Sequence, residues 1–87
     1  MSNVNVGDLH VQVVNILNDV MQMDLGLDTQ DVQRQQVEQW DSVNHLRLVL
    51  ELEQAFGVTL SDEDVLSMQS LREIETALQR FYVSEPR

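Results

Sequence analysis

The segment from Asp41 to Gly57 constrains the fold more than any other, because it has the start, the periodicity and the stop of one amphipathic helix. Asp41 can act as N-cap, since its carboxylate can accept hydrogen bonds from the free amides of the next turn. Ser42 then takes the first helical position and faces solvent, and Gly57 can end the helix after Phe56 in a left-handed cap. The predicted inward stripe consists of Leu48, Val49, Leu52 and Phe56.

The same helix carries a second apolar row, formed by Val43, Leu46 and Leu50. With this row the helix has more apolar surface than a bundle helix of its length needs to bury. Two interpretations remain open. The row is ordinary core covered by the preceding loop, or it is an exposed surface that contacts other molecules.

Three further helices are predicted. Apolar spacing indicates a first helix from Val6 to Met23 that starts at Asn5. Ser61 can cap a short third helix over residues 62–66, which has three acids in its first turn. Ser70 and Glu73 form a capping box that starts the fourth helix. One face of the fourth helix is lined by Leu71, Ile74, Ala77, Leu78 and Phe81.

A long connection between Asp24 and Asp41 separates the first two helices. Connections of this length are often functional, and this one is expected to return the chain across the bundle and to position Ser42. The ring of Trp40, directly before the cap, is expected to lie on the bundle as a hydrophobic staple. The predicted apolar anchors of the loop are Leu25, Leu27, Val32 and Val37.

The length of 87 residues predicts one domain over residues 1–87, with an ordered core at about 5–82 and a tail at 83–87 that includes Pro86. Such a chain can bury one modest core but not a core and an enclosed catalytic cleft. A carrier or binding module is therefore expected rather than an enzyme.

Fifteen acidic residues against five arginines give a net charge of −10. This charge argues against nucleic acid as a partner, favours a monomer, and is complementary to basic protein surfaces. The chain has no cysteine, which excludes disulfides and thiolate metal sites. Neither a run of about 20 apolar residues nor a signal peptide is visible, so a cytoplasmic protein that does not enter membranes is expected.

Other chemistries have weaker support in the sequence. His10 and His45 are interpreted as surface residues, because no His or Cys cluster completes a metal site around either one. His45 follows Ser42 by one helical turn, but no G-x-S-x-G elbow is present to support serine hydrolysis. Asp62 and Asp64 do not begin a calcium loop, because the next alternating position is Leu66 and no glycine follows.

The Asp41-Ser42 pair, the acidic helix that ends at Phe56, and the stretch from Val58 to Asp64 together resemble the acyl carrier protein family. The resemblance implies an all-α four-helix bundle of the acyl-carrier type, with a long loop between helices 1 and 2 and a short third helix. It also implies that Ser42 carries 4'-phosphopantetheine, with Asp41 and Val43 beside it.

The chain differs from the family pattern at three positions. Val43 replaces the usual leucine after the serine, and Asn44 and Arg47 stand where many fatty-acid carriers have acids. The apolar change keeps a group that can pack beside the arm. The two polar changes dilute the acidic recognition surface and point to different partner enzymes.

By this resemblance the protein is a non-catalytic acyl carrier for a polyketide, specialised lipid or other secondary-metabolite pathway, loaded by a phosphopantetheinyl transferase. The alternatives are an aminoacyl or peptidyl carrier, or an unmodified interaction module with a groove at Leu46 and Leu50. Five acidic residues are expected to attract Arg and Lys on the surfaces of partner enzymes, namely Asp41, Glu51, Glu53, Asp62 and Glu63. The residues expected at the partner surface or acyl opening are Leu46, Arg47, Leu50, Glu53, Asp62 and Glu63. Reversal of Glu53 and Asp62 to lysine is further expected to slow loading while leaving the fold intact.

Overall fold

A computed structural model describes residues 6–83, and within them the chain is all-α. The elements are α1 (Val6–Met21), one turn of 3-10 helix (Arg34–Gln36), α2 (Ser42–Phe56), α3 (Asp62–Ser67) and α4 (Leu71–Val83). The predicted four-helix bundle, with its long loop before α2 and its short α3, is confirmed. The predicted start at Asn5, the residues after 83 and Pro86 lie outside the described residues. None of the helices in residues 6–83 is long and apolar enough to cross a membrane.

The core is formed where α1 packs against both α2 and α4. Each of these helices buries its apolar stripe, and every such side chain removed from water stabilises the fold by about 1.5–3 kcal/mol. The largest fully buried side chains include Leu17, Met21, Leu48, Leu52, Leu71, Ile74 and Leu78. The stripe predicted for α2 is confirmed at Leu48, Val49 and Leu52, with Phe56 partly buried against it.

The predicted boundaries of α2 are confirmed at both ends. The Asp41 carboxylate accepts a hydrogen bond from the Asn44 amide at 2.9 Å, as an N-cap should. At the other end Gly57 has a φ of 65°, and its amide donates to the Glu53 carbonyl. Since a residue with a side chain rarely adopts that conformation, the glycine makes the sharp stop possible.

The caps of α3 and α4 also follow the prediction. Ser61 and Asp64 form a reciprocal capping box, in which each side chain accepts a hydrogen bond from the other residue's amide. The Ser70 hydroxyl accepts from the Glu73 amide at 3.1 Å and donates to the Glu73 carboxylate at 3.3 Å. The start of α4 has a further acceptor in Asp31, whose carboxylate binds the Arg72 amide at 3.0 Å.

Three sequence expectations are wrong in detail. Helix α1 ends at Met21 rather than Met23, because Gln22 takes the left-handed conformation at φ 56°. Leu27 is 53 % exposed and is no apolar anchor of the loop, although Leu25, Val32 and Val37 do pack on the core. Phe81 is 42 % exposed rather than inward, because it lies one turn past Ala77 and Leu78, the last buried side chains described in α4.

The long loop is held to the link between α3 and α4 by backbone hydrogen bonds. The Arg34 amide donates to the Gln69 carbonyl at 2.8 Å, and the Leu71 amide donates to the Val32 carbonyl at 2.9 Å. These bonds surround an isolated antiparallel bridge between Gln33 and Ser70. The loop is therefore a fixed part of the bundle, and its last residues lead directly to Ser42.

Candidate functional site

Ser42 stands at the first position of α2 with its side chain exposed, as the sequence predicts. The Asp41 carboxylate accepts a hydrogen bond from the Asn44 amide, and the Asp41 carbonyl accepts one from the His45 amide. Within residues 6–83 no acceptor contacts the amide N–H groups of Ser42 and Val43. These two free donors lie at the positive end of a 15-residue helix, where an anion is favoured.

Trp40 fixes the chain immediately before this serine. Its side chain is only 3 % exposed, and its indole Nε1–H donates a hydrogen bond to His45 Nδ1 at 2.9 Å. Its carbonyl accepts from Arg34 Nε at 3.0 Å. The predicted staple to α2 is therefore confirmed. Ser42 lies on the surface between two buried, hydrogen-bonded neighbours, so its backbone position is well defined while its hydroxyl stays accessible.

His45 corrects the expectation of a surface histidine, because it is buried. The indole of Trp40 can only donate, so Nδ1 of His45 is the acceptor and Nε2 carries the proton. Nε2 donates in turn to the Val65 carbonyl at 2.8 Å and joins α2 to α3. The sequence did hold a signal: His45 precedes Leu48 by three residues and Val49 by four, on the stripe that faces the core.

The second apolar row of α2 lies on the surface. Val43, Leu46 and Leu50 are 68 %, 59 % and 58 % exposed, so the interpretation as loop-covered core is wrong. Leu66 of α3 is also exposed, at 74 %. An exposed apolar row therefore begins beside Ser42 at Val43 and continues along α2, as is typical of an interaction surface.

The polar residues expected at the docking surface divide into two groups. Arg47, Glu51, Asp62 and Glu63 are exposed and available to a partner. Glu53 is partly buried, and its Oε2 accepts a hydrogen bond from the Leu60 amide at 2.8 Å, so this residue has a structural role that the sequence does not predict. Asn44 also has a structural role, since its Nδ2 donates to the Gln39 carbonyl at 2.7 Å.

His10 lies away from Ser42 and is half-buried rather than a free surface residue. Nδ1 contacts the Glu75 carboxylate at 2.6 Å and Nε2 contacts the Leu27 carbonyl at 2.9 Å. The hydrogen bond to Glu75 raises the pKa of His10 above its ordinary value, which burial alone would lower. Residues 6–83 contain no group of three or more His, Cys, Asp or Glu side chains placed to hold a metal ion.

The site is suited to an anionic ester. Ser42 offers an accessible hydroxyl, and the amides of Ser42 and Val43 can donate to phosphate oxygens beside it. An exposed serine on the capped helix of a four-helix bundle, next to an exposed apolar row, is the arrangement of a carrier domain.

A family model described as a phosphopantetheine attachment site matches residues 11–78, and the chain therefore belongs to that family. The domain of this family is the site of covalent 4'-phosphopantetheine attachment, so the cofactor that the sequence predicts is confirmed. No curated protein and no solved structure matches the chain.

Proposed function

We propose that the protein is an acyl carrier and that Ser42 is the residue to which 4'-phosphopantetheine is attached. The observation that carries this proposal is the position of the Ser42 hydroxyl, exposed at the start of α2 and within the matched range. Of the other three serines in that range, Ser61 uses its hydroxyl as an N-cap acceptor for the Asp64 amide, Ser67 donates its hydroxyl to the Asp64 carbonyl, and Ser70 is buried. Ser42 has no such structural task in the described residues.

The loading reaction is carried out by a separate, Mg²⁺-dependent transferase. It joins Ser42 Oγ to the phosphorus next to pantetheine in coenzyme A and breaks the phosphoanhydride bond. The hydroxyl proton passes to a base on the transferase, and adenosine 3',5'-bisphosphate leaves. When bound, the arm supplies a terminal thiol that carries an acyl group as a thioester. The chain's own residues hold the attachment point and stabilise the phosphodiester charge with the amides of Ser42 and Val43.

Partner enzymes dock on the exposed row of Val43, Leu46 and Leu50. Glu51, Asp62 and Glu63 steer basic surfaces toward this row, because charge complementarity raises the rate of encounter. Docking can be weak and brief, since tethering of the acyl group raises its effective concentration at each active site. The chain itself supplies no catalytic group.

The positive charge of Arg47 supports a role in a pathway other than primary fatty-acid synthesis. Arg47 is exposed one position from Leu46, and the first turn of α2 has no acid. An enzyme that docks here with a strongly basic surface would meet repulsion at Arg47. We therefore place the carrier in a polyketide, specialised lipid or other secondary-metabolite pathway, whose enzymes would present a neutral or acidic group at this point.

The proposal is tested by intact-mass measurement after incubation with a broad-specificity phosphopantetheinyl transferase, Mg²⁺ and coenzyme A. The wild-type chain is expected to gain the mass of one arm and Ser42→Ala to gain none. Ser61→Ala is the matched control, since it removes another exposed helix-start hydroxyl and should still be loaded. No gain by the wild type, or a gain that persists in Ser42→Ala, contradicts the assignment. Supply of acyl and aminoacyl substrates to the natural loading enzyme then separates an acyl from an aminoacyl carrier.

A further inference from the structure

A groove of about 520 Å³ lies between the long loop and the link from α3 to α4. Its size is in the range of small-molecule sites. The residues that line it are Gln33, Arg34, Gln35, Val37, Trp40 and Gln69. Val37 and Trp40 provide buried apolar surface, while the other four provide amide groups and one guanidinium.

The charge of this groove is opposite to that of the protein as a whole. The chain has fifteen acids and a net charge of −10, yet the lining has one arginine and no carboxylate. Gln33 and Gln69 already donate to the Asp31 carboxylate and the Leu66 carbonyl, so the groups that favour an anion here are the Arg34 guanidinium and the Gln35 amide.

Arg34 is held in place in a way that leaves donors for a ligand. Its Nε donates to the Trp40 carbonyl at 3.0 Å, and its Nη1 donates to Gln69 Oε1 at 3.4 Å. Neither bond uses Nη2, and the guanidinium has five N–H donors in a fixed fork that matches a carboxylate. Gln35 is exposed, and its side chain makes no hydrogen bond in the described residues.

The groove is within reach of a group on Ser42. Trp40, which forms part of its wall, precedes Ser42 by two residues, and two residues of chain span at most about 7 Å. A flexible arm on Ser42 can therefore place the end of a short acyl group in this groove.

We propose that the groove binds the free carboxylate of an acyl group carried on Ser42, with Arg34 as its cationic partner and Gln35 as an additional donor. The cargo is therefore a dicarboxylic acid that is held as a thioester at one end and has a free carboxylate at the other, rather than a simple alkanoyl group. This inference rests on the proposed function of Ser42 and adds the class of cargo. Free dicarboxylate has the same chemistry but lacks the tether, so it should bind far more weakly.

The test compares succinyl and butyryl chains of equal length, which a broad-specificity transferase loads from their coenzyme A esters. Intact mass first establishes the loading. Cleavage of each thioester by hydroxylamine is then measured relative to the same coenzyme A ester, and ¹H–¹⁵N spectra report the Trp40 indole and the Arg34 Nε. The succinyl chain is expected to shift these resonances and to be cleaved about two- to fivefold more slowly than the butyryl chain, as suits a partly exposed ion pair.

Gln35→Glu places a negative charge in the groove without loss of a described contact, and is expected to abolish both effects. Gln12→Glu, which adds the same charge on the exposed surface of α1, is the control and should leave them unchanged. The proposal that the groove binds a carboxylate is overturned if the succinyl and butyryl chains show the same shifts and the same relative cleavage rates. It is also overturned if the succinyl effects persist in Gln35→Glu. Absence of loading at Ser42 overturns the proposed function and, since no cargo is then tethered, this inference as well.

Discussion

The two ends of the long loop are anchored by histidines with opposite electrical roles. Near the start of the loop, His10 faces the Glu75 carboxylate and the Leu27 carbonyl, which are both acceptors, so the protonated ring, with a donor on each nitrogen, is favoured. At the end of the loop, His45 accepts from Trp40 and donates to Val65, so the ring is neutral. The end that carries Ser42 thus depends on a buried neutral network, and the other end on a half-buried ion pair.

This difference indicates where the loop is most sensitive to change. Removal of a partner from a buried network leaves polar groups without water or a hydrogen bond, whereas a half-buried ion pair can be replaced in part by solvent. The end next to Ser42 should therefore be costly to disturb. The end at Leu27 should be cheaper to disturb and should respond to pH.

The largest effect is expected for Trp40→Ala. Loss of a buried tryptophan leaves a cavity and costs about 3–5 kcal/mol, and here it also removes the donor to His45. The free energy of unfolding, measured in urea, should fall by an amount in that range. Leu66→Ala is the control, since a side chain that is 74 % exposed should change stability by no more than about 0.5 kcal/mol. Similar losses of stability in the two variants would contradict the conclusion that Trp40, at the end of the loop, holds Ser42 in place.

An intermediate effect is expected for His45→Phe, which keeps a ring in the core but removes both hydrogen bonds. Trp40 Nε1 and the Val65 carbonyl then lose their partner, and an unsatisfied buried group costs about 1–3 kcal/mol. Urea unfolding measures the loss, and fluorescence of the only tryptophan reports the change around the indole. Amide exchange in α3 should also become faster. Unchanged exchange there, with normal stability, would show that His45 does not hold α3.

The smallest effect is expected at His10, and it depends on pH. Glu75 raises the pKa of His10 in the folded protein above the unfolded value of about 6.5, so proton binding favours the folded state. The resulting stability is fully present below pH 6.5 and is lost as the pH rises through the folded pKa. Urea unfolding at a series of pH values should show this loss in the wild type and not in His10→Gln. The same pH dependence of stability in both proteins would show that the ion pair is not its cause.

The correspondence between sequence and structure is closest where a single segment determines the outcome. The caps at Asp41, Ser61 and Gly57 act within one or two turns, and residues a few positions apart satisfy them. The position of Ser42 at the start of α2 follows from the same local chemistry. The errors at His10, His45 and Glu53 occur where a residue outside the same helix decides. Glu53 looks like a surface acid until the chain returns to place the Leu60 amide beside it.

The sequence by itself determined the four helices, the accessible serine at the head of α2, and the acidic character of the chain, because helix caps, apolar periodicity and charge are local or additive properties. Only the tertiary structure decided the hydrogen-bond partners of the two histidines, the exposure of the row Val43, Leu46 and Leu50, and the groove around Arg34. Each of these depends on which distant groups face one another. Residue spacing does not predict that His45 faces the donor of Trp40 or that His10 faces the carbonyl of Leu27. The long loop makes these contacts only when it folds back over the bundle.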